Sequence, residues 1–386
     1  MTPVYLDYHA TTPVDPRVLV DMLPFFTERF GNPHSKQHTW GWDARDATEK
    51  ARAQVAALVN AGAGEITFTS GATESNNLAL KGAVDARRDR GRHVVTVATE
   101  HKSVLDVCRG FEPQGCDVTV LGVQRDGLID LDALTRALTP GTILVSVMAA
   151  NNEIGTLQPL AEIGAIAHAH GALLHTDAAQ AAGKIPIDVR AMHIDLLSLT
   201  AHKCYGPKGC GALFVGRTRP RLALTPQIGG GGQENGLRSG TLNVPGIVGL
   251  GRAAEICRLE MAGEAARLGG LRDRLLEGLR GRVPDVRVNG SLAHRLPHNL
   301  HVSFDGVEGE ALLMALGDLA VSTGSACSSG SQAASHVLEA IGATSRLAGA
   351  SIRFGLGRHT TAAEIDFAID RVSTVVSALR RQVTSA

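Results

Sequence analysis

A lysine and an aspartate each follow an apolar segment in the middle of the chain. Lys203 comes after the apolar run at 196–199, in LSLTAHK, and Asp177 ends the run ALLHTD. A lysine in this position either reaches back to water or is held for chemistry. An amine that forms a Schiff base, together with a carboxylate that keeps a pyridine nitrogen protonated, is what pyridoxal phosphate chemistry requires. The pair therefore predicts a site for that cofactor.

A glycine-containing turn provides a candidate phosphate site. The strand predicted at 66–69 runs into SGATESNN, so Gly71 and Thr73 stand where a helix begins. Free backbone N–H groups and the helix dipole at such a point favour a phosphate, and Thr73 adds a hydroxyl. Serine, threonine and acidic residues are also ordinary helix caps, so the motif alone leaves both interpretations open.

Further polar side chains follow other predicted strands. His101 and Asn152 come after the strands HVVTVA and ILVSVM, and Gln180 comes shortly after Asp177. Because the carboxyl ends of parallel strands meet at one edge of a sheet, we expect these side chains to surround one cavity. A histidine there can stack over a flat ring or move protons, and it can also be a simple cap or surface residue.

A second candidate centre is Cys327, which lies in STGSACSSGS. Small, polar and glycine residues surround it, a composition that predicts a mobile loop at about 322–333. An exposed cysteine on such a loop is a plausible nucleophile. Cys204 is interpreted as a packing residue, and with Cys210 it lacks a second pair at metal-ligand spacing, so no metal site is predicted. The inert, buried alternative suits three other cysteines: Cys108, Cys116 and Cys257.

The elements that must position these residues alternate along the chain. Short apolar strands are separated by helical segments at about 66–215, an order that predicts a mostly parallel sheet covered on both faces. A long helical pattern at 246–281 leads into a region of short strands and three helices. We therefore predict an α/β protein with a large domain at 15–257 and a smaller α+β domain, made of 1–14 and 258–386, that carries the cysteine loop.

Composition narrows the class of protein. The 386 residues contain 38 Lys and Arg and 38 Asp and Glu, a balance that argues against direct nucleic-acid binding. No apolar stretch reaches the length of a membrane span, and the amino terminus lacks a signal pattern, so we expect a cytoplasmic protein without a membrane partner. Six scattered cysteines do not form a disulfide framework.

A series of motifs occurs in order along the chain: GATESNN, TEHKSV, NNEIG, HTDAAQ, AHKCYGPKG, RSGT, GSACSSG and SIRFGLG. Together they resemble the NifS/IscS-like cysteine desulfurases of the class whose loop carries GSAC, over about residues 4–358. Such enzymes are homodimers with pyridoxal phosphate fold type I, in the aminotransferase-like superfamily. The resemblance therefore implies a mostly parallel large domain, a smaller α+β domain and pyridoxal 5'-phosphate as cofactor.

The resemblance also implies a role for each matching position. Lys203 would carry the cofactor, Asp177 would pair with its pyridine nitrogen, and Gln180 would meet its ring hydroxyl oxygen. His101 would stack on the ring and take part in proton transfer. The phosphate would be bound by five residues, the last of them reaching in from the partner subunit: Ala72, Thr73, Thr200, His202 and Thr241.

Substrate binding and chemistry are implied in the same way. Asn152, beside the cofactor, and Arg353 would hold the carboxylate of L-cysteine, and Cys327 would take up its sulfur as a persulfide while L-alanine leaves. Thr200 replaces the serine more usual in the family and keeps the hydroxyl. A selenocysteine lyase, another fold type I enzyme such as an aminotransferase, and a scaffold without turnover remain alternatives.

The protein that accepts the sulfur stays open. An iron–sulfur scaffold, a tRNA-thiolating enzyme, a molybdenum-cofactor pathway and a DNA phosphorothioation system are candidates. The carboxyl end, RRQVTSA, departs from the longer tail with which housekeeping members dock their scaffold. This departure weakens the expectation of a housekeeping role and slightly raises that of a specialised pathway.

Overall fold

The computed structural model describes residues 3–217, 222–323 and 335–384, in which twelve strands and twelve α-helices are formed. The strands are β1 (Val4–Tyr5), β2 (Ile66–Thr69), β3 (His93–Val97), β4 (Asp117–Leu121), β5 (Thr142–Ser146), β6 (Leu173–Asp177), β7 (Leu196–Thr200), β8 (Gly211–Val215), β9 (Val286–Val288), β10 (Asn299–Phe304), β11 (Leu319–Ala320) and β12 (Ser351–Gly355). The helices are α1 (Pro16–Met22), α2 (Pro24–Thr27), α3 (Thr39–Leu58), α4 (Ala72–Ala86), α5 (Lys102–Arg109), α6 (Leu131–Ala137), α7 (Leu160–Ala169), α8 (Val244–Arg282), α9 (Gly309–Ala315), α10 (His336–Ala340), α11 (Ser345–Gly349) and α12 (Ala362–Thr384).

Seven strands form the central sheet, in the order β2-β8-β7-β6-β5-β3-β4. Only β8 runs antiparallel to its neighbours, and all other pairs in this sheet are parallel. The carboxyl ends of β2, β3, β5, β6 and β7 therefore meet at one edge, where ligands bind in sheets of this kind. The predicted α/β fold with a mostly parallel sheet is confirmed.

The central strands are buried along their whole length, which explains their continuous apolar sequences. Three of the polar exceptions form hydrogen bonds with one another. His175 on β6 is hydrogen-bonded through Nδ1 to Ser146 Oγ at 2.8 Å and through Nε2 to Ser198 Oγ at 3.1 Å. Burial lowers the pKa of His175 to about 4, so the imidazole is neutral at neutral pH.

The start of α4 is held against the sheet by a contact between two glycines. Gly71 caps α4 with a φ of 153°, a conformation that L-residues with a side chain rarely adopt. A Cβ on Gly211, the first residue of β8, would lie 2.6 Å from the Gly71 Cα. The absence of a side chain on Gly211 therefore lets the cap of α4 approach the first residue of β8, and the φ of Gly71 favours glycine at the cap itself.

The long helix α8 passes from one hydrophobic core to another. Its first half packs with the central sheet through Ile247, Leu250 and Cys257. Its second half packs in a separate cluster, through residues such as Leu268 and Leu275, with the small sheet of order β12-β10-β9 and with α12. The domain limits given above stay a prediction, and these two cores are the feature that supports them.

The carboxyl-terminal part differs from the prediction in detail. Its described residues form four helices rather than three, because α10 and α11 have only five residues each and no measurable periodicity. The strand β9 was not predicted, and β11 is a two-residue segment that pairs with β1 in parallel. Within the described ranges, no helix is both long and apolar enough to cross a membrane.

Candidate active site

A cavity of about 530 Å³ opens at the carboxyl edge of the central sheet. Residues from the loops after β2, β3, β5, β6 and β7 line it, as does the amino-terminal segment through Ala10 and Thr11. The cavity brings together most of the residues selected from the sequence: Ala72, Thr73, His101, Asn152, Asp177, Gln180, Thr200, His202 and Lys203.

Lys203 is held by the amino-terminal segment of the chain. It ends a short 3-10 turn, Ala201–Lys203, directly after β7. Its Nζ donates to the carbonyl oxygen of His9 at 2.5 Å, and the amide nitrogen of Gln180 donates to the same oxygen at 3.0 Å. The lysine and the glutamine are therefore placed at one wall of the cavity by a residue that is 194 and 171 positions away from them in the sequence.

The His9 ring completes this arrangement. Its Nδ1 lies 3.0 Å from Gln180 Oε1, and its Nε2 lies 3.1 Å from the amide nitrogen of Asn299. Burial, with the positive charge of Arg353 next in size, holds the pKa of His9 well below its usual value. The ring is neutral, with Nδ1–H donating to Gln180 and Nε2 accepting from Asn299.

Asp177 is the last residue of β6 and is almost fully buried. Its Oδ1 accepts from the backbone N–H of Ala179 at 2.8 Å, and its Oδ2 accepts from Asn76 Nδ2 at 2.7 Å. Asn76 comes from the first turns of α4, so one helix supports the carboxylate and also begins at the cavity. Two donors fix the orientation of the Asp177 carboxylate.

His101 is the residue immediately before α5 and caps that helix. Its Nδ1 accepts from the backbone N–H of Ser103 at 3.2 Å and lies 2.8 Å from the Ser103 hydroxyl. Ser103 Oγ in turn lies 2.9 Å from Asn76 Nδ2. The histidine is thus connected to Asp177 through two side chains, Ser103 and Asn76.

The first turn of α4 forms an anion-binding corner with the end of β7. A Cβ on Gly71 would stand 3.7 Å from Thr200 Oγ1, in the space that the two elements enclose. Ala72 and Thr73 supply the helix amino terminus. Burial, and then the positive charges of Lys203 and Lys208, lower the pKa of His202 to about 4. The same positive surroundings favour a bound anion.

Arg353 lies behind the cavity wall rather than in the wall itself. It is 2 % exposed, and its Nη2 donates to Asp7 Oδ1 at 2.7 Å. Its Nη1 donates to the carbonyl oxygen of Asn152 at 2.9 Å, and Asn152 lines the cavity. Binding a substrate carboxylate with Arg353, as the resemblance implies, would therefore require this wall to rearrange.

Two further predicted residues do not line the cavity. Thr241 is exposed in the segment before α8, although Arg238 of the same segment pairs through Nε with Glu74 Oε1 at 2.8 Å, and Glu74 does line the cavity. Cys327, with most of the loop predicted at about 322–333, lies outside the described residues.

The sequence interpretation missed three residues that organise the site. Asn76 and Ser103 lie within the motifs GATESNN and TEHKSV, and the helical position of Asn76, one turn after Ala72, was the available signal. His9 gave no signal, because its partners are about 170 to 290 positions away in the sequence.

The groups present fit pyridoxal phosphate. The cavity combines a lysine amine, a buried carboxylate with a fixed orientation, and an anion-binding corner at a helix amino terminus. A side chain at Gly211 would collide with Gly71, the residue that begins this corner. These are the groups that a Schiff base, a protonated pyridine nitrogen and a phosphate need.

The comparison with known proteins agrees with this chemistry. The model of the aminotransferase class-V family matches residues 4–367, and the chain belongs to that family. Within it, the chain belongs with the cysteine desulfurases, as the resemblance predicted. The cysteine desulfurase IscS of Anaeromyxobacter sp. (strain K) is 57% identical over 98% of this chain and 93% of its own length.

Two more similarities support this membership. The cysteine desulfurase IscS of Methylococcus capsulatus is 56% identical over 98% of this chain and 93% of its own length. A solved structure described as a NifS-like protein has a TM-score of 0.91 and 38% identity, and the match covers 98% of this chain and all of that one. Both similarities extend over almost the whole chain, so they include both hydrophobic cores.

Proposed function

We propose that this protein is a pyridoxal phosphate-dependent cysteine desulfurase that converts L-cysteine into L-alanine and retains the sulfur on Cys327. The observation that carries the proposal is the placement of Lys203, Asp177 and the first turn of α4 around one cavity. The membership of the cysteine desulfurases adds support.

The residues of the cavity would each bind a different part of the cofactor. Lys203 would hold the cofactor covalently, Asp177 would bind its pyridine nitrogen, and Gln180, locked by His9, would contact its ring. Ala72, Thr73, Thr200 and His202 would bind the phosphate. When bound, pyridoxal phosphate supplies a sink for the electrons released at the substrate Cα.

Lys203 would transfer the proton, and Cys327 would accept the sulfur. Once its amine is free, Lys203 Nζ takes the proton from the substrate Cα. The Cys327 thiolate then forms an S–S bond with the substrate sulfur, and the electron pair of the Cβ–S bond stays on carbon, which takes up a proton to complete alanine. Asn152 and Arg353 would orient the substrate carboxylate, since a guanidinium can bind both of its oxygens.

The two ends of the described chain around Cys327 are anchored beside the cavity. Ser322 Oγ lies 3.3 Å from Asp7 Oδ1, and the Arg353 backbone N–H donates to the Ser322 carbonyl oxygen at 2.7 Å. Ser335 Oγ donates to Glu153 Oε2 at 2.5 Å, next to Asn152. Five residues of extended chain reach about 17 Å, so these anchors are compatible with a Cys327 thiol that reaches the substrate.

The acceptor is a protein that takes the persulfide sulfur onward, either for iron–sulfur cluster assembly or for a specialised thiolation pathway. A cysteine nucleophile needs a reducing compartment, and the five cysteines among the described residues are all free thiols. This supports a cytoplasmic location. Neither a nucleic acid nor a membrane is a direct partner in this proposal.

The protein acts as a homodimer. Large apolar side chains are exposed on the segment that comprises α1, α2 and the start of α3: Leu19, Val20, Leu23, Phe26, Phe30, Trp40 and Trp42. Large exposed apolar side chains that are concentrated in one segment, rather than scattered singly, are typical of a protein–protein contact. Phe25 from this segment packs against Val244, three residues after Thr241. A second copy on this surface would bring the exposed Thr241 of each chain near the other chain.

The test uses two variants that are expected to lose different steps of the reaction. Lys203→Ala should lose covalent cofactor attachment, seen as loss of the visible absorbance that borohydride reduction fixes, together with all turnover. Cys327→Ser should keep that absorbance and cysteine binding but stop sulfide release. Cys116 is buried and does not line the cavity, so Cys116→Ser controls for the loss of a thiol.

Cys327→Ser protein that releases sulfide at the rate of the unaltered enzyme would show that the nucleophile is assigned wrongly. Protein that never acquires visible absorbance with added cofactor would overturn the proposed function as a whole. A comparison of L-cysteine with L-selenocysteine as substrates separates a desulfurase from a selenocysteine lyase.

A further inference from the structure

We infer that Asn76, acting through Ser103, holds His101 as the neutral tautomer with its proton on Nε2. The inference concerns the site of the proposed function. The tautomer itself is argued from the geometry, and only its consequence for the chemistry of His101 rests on the proposed function. Asn76 is a positioning residue in this view, because it contacts Ser103 and Asp177 rather than a substrate.

The tautomer follows from the donors that face Nδ1. The backbone N–H of Ser103 lies 3.2 Å from His101 Nδ1, and a backbone N–H can only donate. The Ser103 hydroxyl lies 2.8 Å from the same nitrogen. A proton on Nδ1 would point at the N–H of Ser103 and break the helix cap that His101 provides for α5. The lone pair of Nδ1 is therefore the acceptor, and the proton is on Nε2.

The direction of the Ser103 hydroxyl is set by Asn76. Asn76 Nδ2 is 2.9 Å from Ser103 Oγ and 2.7 Å from Asp177 Oδ2. The opposite orientation of this amide would place its carbonyl oxygen against a carboxylate oxygen, so the nitrogen faces both groups. Ser103 Oγ thus accepts from Asn76, and its single proton is left for His101 Nδ1.

The carbonyl oxygen of the Asn76 amide makes this arrangement energetically unfavourable. Asn76 is fully buried, and its Oδ1 has no hydrogen-bond donor among the described residues. Leaving a buried acceptor unpaired is unfavourable, so stability alone does not explain the choice of an amide here. Both protons of the amide nitrogen are used, one on Asp177 and one on Ser103.

The consequence is a restriction on the chemistry of His101. With Nδ1 occupied as an acceptor, the neutral ring can donate a hydrogen bond from Nε2, but it cannot gain a proton without breaking its cap. His101 would therefore serve as a donor, while Lys203 takes the Cα proton. A neutral ring also adds no positive charge beside a cofactor whose pyridine nitrogen is protonated.

The first test needs no substitution. The cofactor-loaded enzyme is prepared with 15N-labelled histidine, and the His101 ring signals are assigned by their loss in His101→Gln protein. Couplings to the ring carbon-bound protons distinguish a protonated nitrogen from a bare one. We expect a bare Nδ1 and a protonated Nε2 at pH 8. A protonated Nδ1 would overturn the inference even in an enzyme that turns over cysteine normally, so it is separable from the proposed function.

The second test addresses the role of Asn76. Asn76→Leu keeps a similar volume and removes both donors, so the Ser103 hydroxyl can turn its proton away from Nδ1. Only the backbone N–H of Ser103, at 3.2 Å, then still opposes a proton on Nδ1, so a second population with a protonated Nδ1 should appear for His101. Asn77→Leu, one position along α4, is the matched control, because Asn77 Nδ2 donates to the Thr73 carbonyl within the helix; its His101 signals should not change. If folded Asn76→Leu protein keeps the unaltered tautomer, Ser103 alone fixes the ring and Asn76 has no positioning role.

Discussion

At the scale of residues, His9 links the amino terminus to the chemistry of the cavity. Its carbonyl oxygen accepts from Lys203 and from Gln180, and its ring donates to Gln180 Oε1. Since Gln180 uses its amide on His9, the glutamine has one orientation when a cofactor enters. This is pre-organisation, which reduces the free energy lost on ordering side chains at binding.

His9→Ala is expected to weaken cofactor binding, because Gln180 loses the partner that orients it. Leaving a buried partner unpaired costs about 1–3 kcal/mol, so we expect roughly a tenfold higher dissociation constant for pyridoxal phosphate. Absorbance titration of the cofactor-free protein measures it. His93→Ala is the control, since His93 is a buried histidine with hydrogen bonds to Thr142 and Thr119 at the other end of β3. Equal cofactor affinity in both variants would contradict the role of His9.

Glu100 gives a prediction about pH and stability. Burial, and then the negative charge of Asp177, raise the pKa of Glu100 well above its usual value. The folded protein thus binds a proton that the unfolded chain releases above about pH 4.3, so folding stability falls as pH rises from there to the folded pKa. Glu100→Gln removes this loss.

As pH rises, the free energy of unfolding of Glu100→Gln protein should increase relative to that of the unaltered protein. The difference between the two should grow by up to about 1.4 kcal/mol per pH unit within that window. Urea denaturation at a series of pH values from 5 to 9 measures the difference. Glu162→Gln, at an exposed position of α7, controls for the loss of one carboxylate. A difference that does not change with pH would show that Glu100 is ionised in the folded protein.

Residue types and order along the chain were enough to find Lys203, Asp177 and the start of α4, because each follows a strand and parallel strands end at one edge. The support of these residues was not predictable in the same way. His9 meets Gln180 and Asn299 only through the tertiary packing that brings these distant positions together. The position of Arg353 behind Asn152 likewise depends on its ion pair with Asp7 at the opposite end of the sequence.

At the scale of elements, two short helices near the carboxyl end allow a matched comparison. Ser335 caps α10, and Thr344 caps α11, each by accepting from a backbone N–H of its own helix. Only Ser335 also donates to a buried carboxyl, that of Glu153, whose pKa burial raises. The cap of α10 is therefore joined to the loop that carries Asn152.

Ser335→Ala should lower turnover more than Thr344→Ala, although both lose a helix cap that contributes about 1 kcal/mol to stability. The reason is that the chain segment ending at Ser335 includes Cys327, and its anchor beside Asn152 is lost only in the first variant. Steady-state alanine formation measures the effect, with the visible absorbance of the cofactor as a check that its binding is unchanged. Equal turnover in the two variants would argue that this anchor has no part in sulfur transfer.

At the scale of the whole molecule, α8 and one ion-pair network connect the two cores. Arg358, which follows β12, pairs through Nη1 with Asp15 at 2.5 Å and through Nε with Glu264 of α8 at 2.9 Å. Lys184, buried beside them, pairs with Glu264 at 3.4 Å. Four distant parts of the sequence therefore meet where α8 passes from one core to the other. This network holds the amino-terminal segment and the end of β12 in place, and Asp7, His9 and Arg353 from these parts support the cavity from behind its wall.

The apolar surface between α1 and α3 leads to the last prediction. Phe26 is 59% exposed on this surface, and Met314, 77% exposed on α9, lies on the other core. A glutamate at a buried dimer contact must lose its hydration without gaining a partner, whereas at a free surface it costs little. Phe26→Glu should therefore yield monomers by sedimentation equilibrium, while Met314→Glu keeps the mass of a dimer. Since Thr241 would then be missing from the partner's phosphate site, the monomer should also bind pyridoxal phosphate more weakly. A Phe26→Glu protein that stays dimeric would place the contact on another surface.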